Sequence, residues 1–228
     1  MFIIHYRFDA SITEISQPRK LSYLKPKQFW LNVGTIEPRK NVIRLLNTYA
    51  KFLAQYPQTG PLVLAGKVGW LEEDIHKIIK QLGLNRHVYL LGYVSNIELQ
   101  WLLKNCFCLL YPSLFEGFGL PILEAMTYGA PVITSNVSSI PEVVGKAGVL
   151  INSLDEDEIL QAMIVMYTNQ EFRKKLEEHA IEQAKLFSWK TTARKTLEVY
   201  NELASSSENK FCLKDFIKPE LLTISTLS

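Results

Sequence analysis

Pro112-Ser113-Leu114-Phe115-Glu116-Gly117-Phe118-Gly119-Leu120-Pro121-Ile122-Leu123-Glu124-Ala125-Met126-Thr127-Tyr128-Gly129-Ala130-Pro131 is the stretch that decides the fold. An apolar run at 106–111 leads into it, and a glycine-rich turn then opens a segment with helical character. In open α/β sheets ligands collect beyond the carboxyl ends of strands, where helix starts offer unpaired N–H groups. Gly117 and Gly119 lack a Cβ, so backbone can approach a bound group closely. Pro121 suits a first helical turn, where its missing N–H costs nothing. Glu116 precedes the helix and Glu124 is expected in its first turn, so the position suits an anion, held by helix-start N–H groups, carried next to hydroxyl groups. Either glutamate alone reads as readily as a dipole-matched helix start or a turn residue. Their combination at a strand exit marks a candidate ligand site.

Working outward, six short apolar runs appear at 29–33, 62–65, 87–91, 106–111, 131–135 and 149–151, most bounded by Gly or Pro. Continuous hydrophobicity is the mark of strands buried on both faces, as in parallel sheets. Between them lie stripes of helical period: Val42, Leu45, Leu46, Tyr49, Phe52 and Leu53 form one, and Leu71, Ile75, Ile78, Ile79 and Leu82 another. Ser95 with Glu98 spells a capping box. Right-handed crossovers then predict an α/β fold, a single Rossmann-like doubly wound parallel sheet of about six strands with helices on both faces. After residue 151 only helices are expected, a C-terminal extension with starts near Ser153 or Asp155, at Gln170 and at Ser188. The acidic run Asp155 to Glu158 reads as a capped helix start rather than a metal site. Residues 1–28 have linker composition, 29–204 form the expected domain, and 205–228 read as a mobile tail.

Composition excludes several classes. The 228 residues are 47% hydrophobic and 21% charged, with a net charge of +2, which is ordinary for a globular chain and too mild to imply nucleic acid or an anionic membrane. The apolar runs are strand-sized, no signal sequence is visible, and a cytoplasmic location follows by default. His5, His76, His87 and His179 are scattered without ligand or triad spacing. Cys106 and Cys108, two apart on an expected strand, would share one face and, with Cys212, read as reduced core thiols.

A second strand exit carries cations. Gly34-Thr35-Ile36-Glu37-Pro38-Arg39-Lys40-Asn41 follows the first strand, and the fork of Arg39 with the compact charge of Lys40 suits a diphosphate. A solvated basic loop is the plain alternative, and Asn41 reads as a helix cap. Gly92-Tyr93-Val94 and Gly66-Lys67-Val68-Gly69 supply two further exits, weaker signals because Gly after a strand is ordinary turn chemistry.

Over roughly residues 29–203, these segments resemble the donor-binding half of family 4, group 1, retaining glycosyltransferases of GT-B fold. The segments that carry the likeness are Gly34 to Asn41, Gly92 to Val94 and Glu116 to Met126 with its two glutamates. The resemblance implies that Glu124 accepts hydrogen bonds from the ribose of a nucleoside diphosphate sugar (GDP- or UDP-linked) and that Glu116 contacts the sugar. Backbone N–H groups of Phe118, Gly119 and Leu120 would face the sugar or diphosphate, Lys40 would neutralise the phosphates, and the Val94 region would hold the base. It further implies transfer with retention, no metal or other cofactor, and an acceptor such as a lipid-linked saccharide in surface polysaccharide assembly. Donor-side work of that kind belongs at the inner membrane face. Where many relatives place arginine directly after the glycine, this chain has Thr35, so either Arg39 compensates or diphosphate binding is weaker. A GT-B enzyme has two such domains, so the resemblance also implies a separate or missing acceptor-binding domain. The alternative is a non-catalytic nucleotide-sugar-binding module or remnant. A dinucleotide-dependent oxidoreductase is disfavoured, because no Gly-x-Gly-x-x-Gly follows the first strand.

Overall fold

The computed structural model describes residues 15–67 and 72–206. The first fourteen residues with His5, the Val68-Gly69 part of the loop that begins at Gly66, Leu71, Cys212 and the tail from 207 lie outside the described residues. By contacts the chain divides after Leu186 into two units.

The first unit holds six parallel strands: β1 (Trp30–Val33), β2 (Leu62–Ala65), β3 (Val88–Gly92), β4 (Cys108–Tyr111), β5 (Val132–Ser135) and β6 (Gly148–Ile151), in the order β3-β2-β1-β4-β5-β6. Helices α1 (Val42–Gln55), α2 (Glu72–Gln81), α3 (Asn96–Asn105), α4 (Leu120–Thr127) and α5 (Ile140–Val144) connect successive strands; α6 (Glu156–Thr168) and α7 (Gln170–Ala184) follow β6. The order reverses direction between β1 and β4, which lie side by side with Trp30 opposite Cys108 and Leu31 opposite Leu109. At such a switch point the connections leave on opposite sides and open a crevice beyond the strand ends.

Alternation along the strands sorts the core into two layers. Leu31, Val33, Leu109, Tyr111 and Val132 pack on one face with Trp101, Ile122 and Val143 from α3, α4 and α5. Trp30, Leu62, Leu64, Leu110 and Ile133 pack on the other with Leu45, Tyr49, Phe52 and Met163 from α1 and α6. The apolar stripe of α1 is buried at Val42, Leu45, Leu46, Tyr49 and Phe52, as its 3.6-residue period requires.

Three local readings change. Residues before Trp30 are more than linker: a 3-10 turn at Arg19–Leu21 and the chain after it bring Leu21 and Leu24 into the core. Too few apolar residues stand there to show a period. Cys106 does not lie on β4 but ends α3, so it joins one core layer while Cys108 joins the other. They therefore do not share a face. Glu124 is the fifth residue of α4, which begins at Leu120, and so sits on its second turn, beyond the reach of the helix-start dipole.

The capping box is formed: Glu98 N–H donates to Ser95 Oγ at 3.3 Å and Ser95 N–H to Glu98 Oε2 at 2.7 Å. Asp155, rather than Ser153, caps α6, accepting from the N–H groups of Asp157 and Glu158. The second unit contains α8 (Trp189–Ser206), whose start is tied by a bond from Thr191 N–H to Ser188 Oγ at 3.1 Å. Among the described residues no helix is long and apolar enough to cross a membrane.

Candidate functional site

The β1 exit is built by glycine and a tight turn. Gly34 has φ of 129°, and a Cβ there would meet Lys40 Cε at 3.2 Å. The missing side chain makes room for the lysine stem. After Glu37 a 3-10 turn at Pro38–Lys40 aims the lysine inward, and Asn41, in the left-handed region at φ 58°, starts α1. Gly66, at the β2 exit, lies so close that its Cβ would stand 2.0 Å from the Gly34 carbonyl oxygen.

The two cations and the first glutamate converge across the switch point. Lys40 Nζ and Glu116 Oε1 are 2.7 Å apart, and Arg39 Nη1 and Glu116 Oε2 are also 2.7 Å apart. Arg39 Nη2 reaches Glu37 Oε1 at 2.6 Å, and its Nη1 also donates to the Phe115 carbonyl at 2.9 Å. Lys40 Nζ donates in addition to the Tyr111 hydroxyl and lies 4.5 Å from the centre of that ring. Lys40 is 8% exposed and Glu116 7%, so their charges interact with little screening by water.

That setting shifts both groups. Burial lowers the Lys40 ammonium from its usual range, and its bond to Glu116 only partly offsets this. For Glu116, burial pushes upward, but the bond from Lys40 and the nearby Ser113 hydroxyl outweigh it and leave the carboxyl below its usual value. Burial and the neighbouring Glu116 charge raise Tyr111, which stays a neutral phenol.

Glu124 is different. Among the described residues its carboxyl has neither a hydrogen bond nor a cation, and burial alone pushes it up to about 7. It shares the electrostatic environment of Tyr128, one turn further along. The rest of the α4 entrance is open. Gly119, at φ 91°, holds the N-cap position with no side-chain cap, leaving the Leu120 N–H without an intrahelical acceptor. Gly117 has open space where a Cβ would be, and Phe118 and Leu120 are 40% and 45% exposed. Val94 is half-buried against the core beyond β3, with no direct bond to the charged cluster.

The structure thus joins Gly34, Arg39, Lys40 and Glu116 in one contact network and sets Gly117 to Leu120 and Glu124 on the segment that follows. Asn41 sits at the expected N-cap, but its side chain caps nothing; it donates to the carbonyls of Pro112 and Ser153. Tyr111 and Ser113 complete the surroundings of Glu116, and sequence reading passed over both. A hydroxyl-bearing residue at the end of an otherwise apolar strand was the available signal for Tyr111. Among the described residues no group of three or more His, Cys, Asp or Glu is clustered as metal ligands are.

A doubly wound parallel sheet with acids and cations meeting at its switch point places the chain among open α/β domains, in which ligands bind beyond the strand ends. The chain belongs to the family Glycosyl transferases group 1, whose profile matches residues 14–183. It is 37% identical over 173 residues to O-antigen chain mannosyltransferase B of Escherichia coli, covering 76% of this chain and 45% of that protein. Among solved structures it superposes on a sucrose-phosphate synthase from Thermosynechococcus elongatus with a TM-score of 0.71 at 25% identity, covering 80% of this chain and 47% of that one. It also superposes on the C-terminal domain of a group 1 glycosyl transferase (LpcC) from Francisella tularensis, with a TM-score of 0.64 at 21% identity over 71% of this chain and 86% of that one. The chain spans less than half the length of the E. coli mannosyltransferase. Its single six-stranded parallel sheet is that of a GT-B glycosyltransferase domain.

Proposed function

We propose that this chain binds a nucleoside diphosphate sugar at the β1–β4 switch point and takes part in glycosyl transfer, with retention, to an acceptor such as a lipid-linked saccharide in surface polysaccharide assembly. The work is done at the cytoplasmic membrane face. The observation that carries this reading is the Lys40–Glu116–Arg39 cluster, formed by residues 76 and 77 apart in sequence, next to an uncapped helix start. The 37% identical relative is named a mannosyltransferase, which favours a hexose donor and GDP beside UDP as the nucleotide.

Lys40 stands where a diphosphate would meet it, and an incoming phosphate exchanges its oxygen for the Glu116 carboxylate. Glu116, relieved of one cation, then accepts from sugar hydroxyls, while Glu124 accepts from the ribose and backbone near Val94 faces the base. Transfer leaves negative charge on the departing diphosphate. Lys40 and the N–H groups of Phe118, Gly119 and Leu120 are preorganised to stabilise it, so the step needs no metal. Arg39 is already held by two carboxylates, Glu37 and Glu116, which favours weaker diphosphate binding over compensation for Thr35.

Titration calorimetry with GDP-mannose, UDP-glucose and NAD, with EDTA present, tests this. One of the nucleotide sugars should bind and NAD should not. Glu124→Gln should weaken binding by about 1 to 3 kcal/mol, the loss of a hydrogen bond to a charged acceptor. Lys40→Ala should weaken free nucleoside diphosphate and nucleotide sugar alike. No binding of either sugar nucleotide by the folded chain would overturn the reading.

A further inference from the structure

Three strand-exit segments meet at one side chain. Asn41 is 8% exposed, and its Nδ2 donates to the Pro112 carbonyl at 3.1 Å and to the Ser153 carbonyl at 2.7 Å. Its Oδ1 accepts from Arg44 Nη1 at 2.8 Å, and the same nitrogen donates to the Ser153 carbonyl at 3.3 Å. Pro112 follows β4 directly, Ser153 lies two residues beyond β6, and Asn41 ends the turn that carries Lys40.

The amide orientation is determined by its partners. A carboxamide has two donor hydrogens on one side and an acceptor oxygen on the other. Here both hydrogens meet carbonyls and the oxygen meets a guanidinium. Reversed, the oxygen would oppose two carbonyl oxygens and the NH2 would oppose a cation. The left-handed backbone at φ 58° is one that Asn tolerates better than most residues. The side chain contributes no cap to α1, so helix capping does not account for it.

Further bonds run between the same two loops, from Leu114 N–H to the Arg39 carbonyl at 2.8 Å and from Arg39 Nη1 to the Phe115 carbonyl at 2.9 Å. The cationic turn and the acid loop therefore lie side by side, with Asn41 buried and bonded to both the Pro112 and Ser153 carbonyls next to Lys40, which contacts Glu116. We infer that Asn41 is a positioning residue: by clasping the carbonyls of Pro112 and Ser153, it sets the Lys40 turn against the Glu116 loop. It thereby fixes where the ammonium meets an anionic diphosphate. The ligand side of this inference rests on the proposed function; the clasp itself does not.

Asn41→Asp keeps the size and the left-handed tolerance but replaces both donors with an oxygen facing carbonyls. The first readout needs no ligand: acetic anhydride labelling of Lys40 relative to exposed Lys77, followed by mass spectrometry well below each variant's Tm. In Asn41→Asp the ratio should rise about tenfold as local opening becomes easier. The second is calorimetry with UDP and GDP. Affinity should fall about tenfold in the wild-type background, with little further loss in a Lys40→Ala background, the sign of action through Lys40. Arg44→Met, which removes the oxygen-side partner, should shift both readouts the same way by a smaller factor, and serves if Asn41→Asp fails to fold. Unchanged Lys40 labelling in the folded variants, or equal affinity losses in both backgrounds, would overturn the inference. A wild-type chain that binds neither nucleotide counts against the proposed function, and the labelling result then decides the clasp alone.

Discussion

At the residue scale the two glutamates, alike in sequence, have opposite electrostatics. Glu116 is buried but paired, and its carboxyl lies below the usual range; Glu124 is unpaired, and burial raises it from 4.5 to about 7. Since the folded chain holds the Glu124 proton more tightly than the unfolded one, stability falls as pH rises through that window, from 4.5 to about 7. Glu124→Gln should remove this slope and stabilise the chain by about 1 to 3 kcal/mol at pH 8, measured by urea unfolding across pH. If ribose hydroxyls favour the ionised form, nucleotide-sugar affinity should rise from pH 6 to pH 8 in the wild type and stay flat in Glu124→Gln, as calorimetry would show. The Lys40–Glu116 pair behaves otherwise. Lys40→Ala strands a buried carboxylate and should cost about 2 kcal/mol, less than the loss of an isolated pair because Arg39 still bonds Glu116. Adding Glu116→Gln should recover more than half of that loss in a double-mutant cycle by chemical denaturation.

At the element scale the site depends on how closely two neighbouring exits approach. Gly66 has φ of 154° and no space for a Cβ beside the Gly34 carbonyl, whereas Gly83, at φ 70°, has nothing within 4 Å of that position. Gly66→Ala should therefore cost about 3 kcal/mol or more, since backbone must move. Gly83→Ala should cost about 1 kcal/mol, the strain of a left-handed alanine alone. Urea midpoints of the two variants decide between a packing role and a purely conformational one. The capping box ahead of α3 is a local device, and Ser95→Ala should cost about 1 kcal/mol by the same measurement.

At the scale of the molecule, both core layers are assembled, among the described residues, from residues up to Ala184, and the contact division falls after Leu186. A fragment ending at Leu186 should therefore unfold cooperatively, with near-UV circular dichroism of a packed core. A broad, non-cooperative transition would show that the core needs the second unit. The strand order shapes the candidate site at this scale, because the reversal between β1 and β4 brings Lys40 and Arg39 against an acid 76 and 77 residues away.

Strand and helix positions were legible in the chain itself, because continuous apolar runs and 3.6-residue stripes are local signals that the sheet and α1 merely satisfy. The chemical types at the site were legible too, in the glycines, acids and cations at strand exits. What only the tertiary structure decided is which of these groups touch. The bond between Lys40 and Glu116, the turning of Asn41 from a cap into a clasp, the separation of Cys106 from Cys108 and the unpaired burial of Glu124 all depend on packing between distant segments. A one-residue change in where β4 or α4 begins moves a side chain to another face or turn, and periodicity does not fix element ends that finely.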